Sequence, residues 1–403
     1  MRTILHIDFN SYFATVEQQA NPRLRGKPIG VTGGDRMERT VIGAASVEAK
    51  KFGVRTGMPI WEAKSLCPEI ILVPGDSDKY LETTKRFLNI LKDFSPKVEV
   101  FSIDEVFMEV EDCHGPLNLA MTIKERIREE VGEWITCSIG ISYNKIMAKL
   151  AGSLYKPDGL VVIEDEEAAM WILDRVELNE ICGIGFRIKK RLNNMGIFSF
   201  ATLRKVPLKA LLASFKSYGL ILYNMSRGIA DDQIVPFFEK EEVKSIGRRH
   251  TINHDTYDTE EIKQILLKLT ELIAKRLRTK KLRGKTVSFW LRNSDFTGED
   301  MQLTIPYTND GLEIFKASWK AFHKIWNKEK IRMVGVSVSN LKSETPENLT
   351  FLEELKSQEI INQTMDKINN KFGEFSLQRG VLLGSSKIRR MPNPFLADRR
   401  FKL

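Results

Sequence analysis

Residues 98–110 read Val98-Glu99-Val100-Phe101-Ser102-Ile103-Asp104-Glu105-Val106-Phe107-Met108-Glu109-Val110. Apolar residues alternate on both sides of an acidic pair, the pattern of two strands joined as a β-hairpin with Asp104 and Glu105 between them. The chain opens on a second run of this kind, Thr3-Ile4-Leu5-His6-Ile7-Asp8-Phe9, whose end also carries an acid. Adjacent strands of one sheet would bring Asp8, Asp104 and Glu105 together. Clustered carboxylates repel and raise each other's pKa unless a cation neutralises them. Hard oxygen donors suit Mg²⁺ or Mn²⁺. Two such ions, about 4 Å apart, serve phosphoryl and nucleotidyl transfer. Spacing alone leaves a second reading open, in which Asp8 ends a strand and Asp104-Glu105 is an exposed turn. The apolar flanks of the pair make a solvated turn the less natural choice.

Outward from the hairpin, the periodicity predicts a helix over Ser11 to Gln19, ended by Asn21-Pro22. Residues 20–77 form a turn-rich stretch with a strand at Val41 to Ser46 and a short basic helix at Val47 to Phe52. Helices follow at Asp78 to Asp93 and Pro116 to Val131, then a strand at Cys137 to Ser142. A helix at Asn144 to Leu154 and a strand at Leu160 to Glu164 close an α+β unit of ferredoxin-like order. From Glu166 to Asp232 the pattern is one of short helices, and residues 233–243 look like a linker. Residues 244–342 return to α+β: strands at Lys244 to His250, Thr286 to Arg292 and Arg332 to Val338, helices at Asp258 to Thr279 and Asp310 to Trp326. The tail carries a helical pattern at Gln358 to Lys371. There is no internal repeat and no low-complexity tract.

The length, 403 residues, suggests two or three domains at ~150 residues each. A hydrophobic fraction of 42% with 29% charged residues excludes a disordered or fibrous chain. Sixty-two Lys and Arg against 53 Asp and Glu give a net charge of +9, which tilts the partner toward a polyanion. No apolar run reaches the ~20 residues of a membrane span, and no signal segment precedes the first strand. The expectation is a cytoplasmic protein without a membrane partner. Cys67, Cys113, Cys137 and Cys182 form no CxxC pair, so buried reduced thiols are expected.

Three strings carry a resemblance: Ile7-Asp8-Phe9-Asn10-Ser11-Tyr12-Phe13-Ala14, Phe101-Ser102-Ile103-Asp104-Glu105, and Asn144-Lys145-Ile146-Met147-Ala148-Lys149 with Lys156-Pro157-Asp158-Gly159. In this order and at these separations they closely resemble Y-family DNA polymerases, the low-fidelity lesion-bypass enzymes, with a later half similar to bacterial polymerase IV and polymerase V-type members. The resemblance implies an α+β multidomain right-hand polymerase. Its ferredoxin-like palm would be residues 1–19 and 78–165, with small fingers at 20–77 and a helix-hairpin-helix thumb at 166–232. A little finger at 244–342 and a tail at 343–403 would follow the linker.

It implies that Asp8 and Asp104 each bridge two Mg²⁺ ions, with Mn²⁺ as a substitute, that Glu105 completes one metal site, and that the Phe9 carbonyl helps hold the other. The catalytic set is thus Asp8, Asp104 and Glu105. Phe13 matches the ring that excludes a ribose 2′-hydroxyl, and Lys156 the lysine that reaches the dNTP triphosphate. Val41 and Gly43 would lie over the nascent base pair. The chain departs from the family at Val47 and Lys50, where Tyr and Arg are usual. Lys50 keeps a point charge for phosphate but loses the bidentate grip of a guanidinium, and Lys51 or Arg39 are candidates to compensate.

Several features suit DNA. Cys182-Gly183-Ile184-Gly185, with basics after it, reads as a hairpin turn whose Gly183 and Gly185 let backbone N–H groups meet a phosphate. Seven of the eleven residues 275–285 are basic, including Lys280, Lys281 and Arg283. With Arg248, Arg249 and Arg332 they resemble the family's duplex-gripping surface, which would bind primer-template DNA through phosphates. Asn348-Leu349-Thr350-Phe351-Leu352 loosely resembles a sliding-clamp peptide, with Asn348 in place of glutamine. The terminal basics Lys387, Arg389, Arg390, Arg399, Arg400 and Lys402 are expected to be solvated. The expected enzyme is a monomeric, distributive DNA polymerase of the DNA-repair type without a proofreading site. A nucleotidyl cyclase shares the acid pair but needs neither the hairpin turn nor the basic distal region. A non-catalytic DNA-binding scaffold would have no need of all three acids and Lys156.

Overall fold

The computed structural model describes residues 2–33, 39–111, 115–239, 243–343 and 353–383. The chain divides into two compact units, with the division near residue 240.

The first unit is built on a five-stranded sheet. Its strands are β1 (Thr3–Phe9), β5 (Val98–Val100), β6 (Glu105–Val110), β7 (Cys137–Ser142) and β8 (Leu160–Ile163), in the order β5-β6-β1-β7-β8. β1 lies antiparallel to both β6 and β7. Every residue of β7 is buried, as its unbroken small and apolar run requires of a strand covered on both faces. On this sheet pack α1 (Tyr12–Ala20), α4 (Ser77–Lys92), α5 (Pro116–Glu130) and α6 (Lys145–Leu154). Between α1 and α4 the chain makes a smaller sheet, β3-β2-β4, from β2 (Ile29–Thr32), β3 (Ile42–Ala45) and β4 (Ile71–Pro74), with helices α2 (Val47–Lys51) and α3 (Ile60–Leu66). Short helices α7 (Glu166–Leu173), α8 (Phe186–Asn194), α9 (Phe200–Lys205), α10 (Leu208–Phe215) and α11 (Tyr218–Met225) share one apolar core with Met147, Leu150 and Ala151 of α6. Residues 234–238 then run beside β5: Ile234 is buried, the Phe237 N–H donates to the Val98 carbonyl at 2.9 Å, and the Val235 N–H donates to Glu99 at 2.8 Å.

The second unit is a four-stranded antiparallel sheet, β11-β10-β12-β9, from β9 (Ser245–Thr256), β10 (Leu282–Asn293), β11 (Gly298–Thr308) and β12 (Ile331–Ser343). One face is covered by α12 (Thr259–Thr279) and α13 (Gly311–Ile325), capped by Asp258 and Asp310. A last helix, α14 (Glu353–Phe372), docks on the same side: Asp366 takes Arg278 of α12 in a two-pronged ion pair, at 2.6 and 2.9 Å, and Asn362 donates to Asp310.

Sequence and structure differ in three places. The acidic pair does not sit together between the strands: Asp104 ends the loop, and Glu105 is the first paired residue of β6. β11 was not expected, because it is an edge strand, polar on most positions and interrupted by Pro306, a residue only an edge tolerates. Cys67 and Cys137 are buried thiols, but Cys182 is exposed on its turn. Cys113, the clamp-like segment at Asn348 to Leu352 and the terminal basics lie outside the described residues.

A glycine pair sets how closely α6 approaches the sheet. A Cβ on Gly140 of β7 would stand 2.1 Å from the Ala148 carbonyl oxygen and 2.1 Å from the Gly152 nitrogen, both backbone atoms that cannot swing away. Gly140→Ala is therefore expected to lower stability by about 1–3 kcal/mol or more, as overpacking does. Thermal unfolding of the variant beside Gly380→Ala, whose site has open space and no left-handed backbone, checks this; an unchanged Tm for Gly140→Ala would contradict it.

Candidate active site

The strand register assembles the acids. Asp8, next to last in β1, pairs directly with Glu105 at the start of β6. One residue on, the Phe9 N–H donates to the Asp104 carbonyl at 3.0 Å, so Asp104 is held at the same end of the sheet. The Ile103 carbonyl accepts from the buried Thr84 hydroxyl of α4 at 2.8 Å, which fixes the loop from below.

Each carboxylate has its own electrostatic setting. Burial, the largest cause, raises Asp104 to about 6; the Asp8 and Glu105 charges add to it, and a hydrogen bond from the Ser102 hydroxyl opposes it. For Glu105 burial again pushes upward, but His6 and the Lys149 ammonium outweigh it and hold the group at about 2. Asp8 is paired with Lys156 Nζ at 2.9 Å. His6 stands on β1 two residues before Asp8, with Nε2 3.7 Å from Glu105. Burial keeps its imidazole below the usual range, hence neutral at pH 7. Ligand atoms of His6, Asp8 and Glu105 lie within 4.8 Å of one another. The donors are mostly carboxylate oxygens, closely spaced and offset by lysines, and such a set fits a hard divalent cation.

Asp8 and Asp104 open into a cavity of about 510 Å³. One wall is Phe9 to Phe13, another Gly43, Ala44, Val47 and Thr56, and the rim carries Lys50, Lys51 and Lys156. Phe13 is 6% exposed and stacks on Tyr80, centroids 4.3 Å apart at 15°. The Tyr80 hydroxyl donates to Glu17 at 2.8 Å, and Lys79 holds the other Glu17 oxygen at 2.7 Å. Tyr12 faces the core instead, its hydroxyl donating to the Tyr80 carbonyl at 2.8 Å. Asn10 joins two elements: its amide N–H donates to Ser138 at 2.9 Å, and its oxygen accepts from the Asp158 N–H at 2.8 Å, placing the loop that bears Lys156. Placement within the cavity, first, and the Lys156 charge, second, push Lys50 below the usual lysine range.

Asp8, Phe9, Asp104, Phe13, Gly43, Lys50 and Lys156 thus meet at one cavity, with Glu105 beside Asp8. Val41, 45% exposed and bridged to Pro59, is not among the lining residues, and neither is Arg39. His6, Lys149, Thr56 and the Glu17–Tyr80 support of Phe13 were not singled out by the sequence. The spacing of His6 from Asp8, two along one strand, was the available signal for the first. Elsewhere, Gly183 has a φ of +107° and its carbonyl accepts from the Tyr218 hydroxyl at 2.8 Å, while Gly185 caps α8. In the second unit Arg283 pairs with Glu359 at 3.7 Å and Arg332 with Asp255 at 3.7 Å. Lys280 follows the end of α12, and Lys281 has a positive φ of 53° in the turn before β10. Strand alternation puts Arg249 on the face of β9 away from the helices and Arg248 on the other.

A ferredoxin-like sheet with acids on its central strands, a basic cavity beside them and a separate α+β unit defines a right-hand, DNA-directed DNA polymerase. Residues 7–153 match the impB/mucB/samB family, and residues 243–351 match its C-terminal domain. The chain is 37% identical to a DNA polymerase IV of Pelotomaculum thermopropionicum, over 94% of this chain and 95% of the relative. It is 37% identical to one of Moorella thermoacetica, over 94% and 96%. A chimeric Y-family DNA polymerase of known structure superposes with a TM-score of 0.74 at 26% identity, covering 84% of this chain and 98% of that one. The chain belongs to this family, the Y-family of lesion-bypass DNA polymerases, whose members depend on divalent cations. Among the described residues no helix is long and apolar enough to cross a membrane.

The Asp104 setting gives a pH dependence in metal-free protein. A carboxyl raised to about 6 in the folded state binds protons that the unfolded chain has released, so its contribution to stability falls as pH rises from about 4 to 6. In EDTA, Asp104→Asn is expected to gain up to about 3 kcal/mol on the wild type at pH 7, relative to their difference below pH 4. Denaturant unfolding at both pH values measures it; a pH-independent difference would contradict the assignment.

Proposed function

We propose that the chain extends a DNA primer on a template by two-metal-ion nucleotidyl transfer, with Mg²⁺ as the resident ion and Mn²⁺ as a substitute. The observation that carries this is the register pairing that sets Glu105 beside Asp8, which with Asp104 lines a lysine-rimmed cavity of about 510 Å³. Asp8, Asp104 and Glu105 would hold the ions through their carboxylates, Glu105 on the side of the primer end, and the Phe9 carbonyl would help hold the ion that serves the nucleotide. When bound, the ions lower the pKa of the primer hydroxyl and neutralise charge on the attacking and leaving oxygens.

The chain's own residues bind and orient. The primer 3′-oxygen forms a bond to the α-phosphorus, the bond to the bridging oxygen breaks, pyrophosphate leaves, and the hydroxyl proton is released. Lys156, held by Asp8 in the metal-free state, turns to the triphosphate, joined by Lys50 and Lys51. All three are point charges and none offers a guanidinium fork. Phe13, fixed flat against Tyr80, meets the sugar at C2′ and rejects a ribose hydroxyl by volume. Gly43 and Ala44 leave room over the base pair, which suits damaged templates and low fidelity. We assign residues 1–19 and 78–165 to the palm, 20–77 to the fingers, 166–232 to the thumb and 244–342 to the little finger. DNA phosphates meet the turn at Gly183 and Gly185 and the basic residues Arg248, Arg249, Lys280, Lys281, Arg283 and Arg332. The assignment includes no proofreading site and a monomeric enzyme, with Asn348 to Leu352 as the segment for a sliding clamp.

Primer extension with dNTPs and Mg²⁺ tests the reading. Asp104→Ala is expected to lose at least about a thousandfold in rate while still binding duplex. Wild type that binds primer-template but does not extend it would leave the scaffold reading. Phe13→Val is expected to raise the kcat/KM ratio of rNTP over dNTP by at least about tenfold. Glu17→Ala, which frees Tyr80, should move the same ratio in the same direction by less. No change in either variant would remove Phe13 from the role.

A further inference from the structure

The face of the second sheet away from α12 and α13 carries a row of residues set by register. Trp290 of β10 pairs with Gly335 of β12, and Gly335 pairs with Arg249 of β9. The row is unusually flat, because a Cβ on Gly335 would fall 2.3 Å from the Trp290 ring: the indole lies over the glycine. The Arg249 guanidinium carbon in turn stands 4.4 Å from the centre of that ring. The indole N–H is buried and, among the described residues, has no hydrogen-bond partner, so the ring is placed for its face and not for its donor. The neighbouring row is low as well: Ser288, Ser337 and Gly247, with a Cβ on Gly247 only 2.6 Å from Ser337 Cβ. Asp300 of β11 pairs with Trp290 on its far side and bounds the row.

Among the described residues, no ion pair is found between Arg249 and a carboxylate, unlike Arg278 with Asp366, Arg283 with Glu359 and Arg332 with Asp255. A stacked guanidinium keeps its in-plane N–H donors for a further partner and loses less rotamer freedom when it meets one. The partner that suits a planar donor fork over a floor of glycine and serine is a phosphodiester, which can approach closely. We propose that Trp290 is a positioning residue that holds Arg249 flat on the open sheet face to grip one phosphate of the duplex backbone. This rests on the polymerase reading and adds a residue, Trp290, that neither the charge pattern nor the motifs indicate. Arg248, on the opposite face of the same strand, lies outside this grip.

The test is a double-mutant cycle on the full chain, read as binding of a labelled primer-template by fluorescence anisotropy at several salt concentrations. Arg249→Gln is expected to weaken binding roughly five- to tenfold near 0.1 M salt and to reduce the slope of log K against log salt by about 1, the share of one phosphate. Trp290→Ala should weaken binding in the wild-type background and do nothing further in Arg249→Gln, whereas Trp290→Phe should retain most of the affinity. Melting temperatures are measured beside each; if Trp290→Ala unfolds, Trp290→Leu, which fills volume without a π face, takes its place. An unchanged affinity and slope for Arg249→Gln overturns the proposal. So does an equal loss from the Trp290 change in both backgrounds, which would make the two residues independent. Wild type that neither binds duplex nor extends a primer overturns the polymerase reading instead, while wild type that does both beside a silent Arg249→Gln overturns only the grip.

Discussion

Three carboxylates at one end of one sheet are an electrostatic burden that the first unit is arranged around. Buried acids this close raise each other's pKa, and here they are kept apart in character rather than alike. Lys149 and His6 hold Glu105 ionised, Lys156 pairs with Asp8, and burial leaves the Asp104 carboxyl raised to about 6. The compensation depends on backbone packing. Lys149 reaches Glu105 because α6 lies directly on β7 and β1, and it lies there because Gly140 and Gly152 present no side chains. Lys156 reaches Asp8 because Asn10, two residues after that acid, accepts the N–H of Asp158, two residues after that lysine. The sheet, the helix and the loop therefore act together to keep a negative cluster tolerable.

The acids themselves were legible in the sequence because strand alternation is a strong local signal and each acid interrupts it at a strand end. What the hairpin pattern lacked was register. Only the pairing of Asp8 with Glu105 shows that Glu105 belongs to the strand and Asp104 to the loop, and that pairing is set across 97 residues by the neighbouring pair Ile7 and Val106, buried in one core. The support of Phe13 was hidden for the same reason. Glu17 lies four residues beyond Phe13 and reads as a surface helix acid, yet it is buried and takes Tyr80 and Lys79 from another helix. β11 was invisible because an edge strand needs hydrogen bonds more than apolar side chains.

Charge was the least reliable guide to purpose. The run at residues 275–285 reads as one cationic stripe, but the structure divides it. Arg278 is spent on Asp366 and Arg283 faces Glu359, both from α14, so part of the run fastens the last helix to its unit. Arg249 has no run around it beyond Arg248, yet it is set on an aromatic ring and, among the described residues, in no ion pair. Density of like charge along a sequence cannot distinguish a lysine held out for a polyanion from an arginine answering an acid brought near by the fold.

The same reasoning bears on Val47 and Lys50. The side chains that meet a triphosphate must be strong donors when the nucleotide is present and tolerable neighbours when it is absent. Lys50 and Lys156 share a cavity; burial first, and the Lys156 charge second, hold Lys50 below the usual lysine range. An arginine at position 50 would bring a rigid, planar donor fork to that wall, whereas lysine brings a compact ammonium on a flexible stem. The absence of a phenol at Val47 leaves Thr56 as the hydroxyl lining that side of the cavity. On the proposed assignment the nucleotide would be met by compact ammonium groups on flexible stems, which fix charge more firmly than geometry, and a lesion-bypass polymerase gains from that order of priorities.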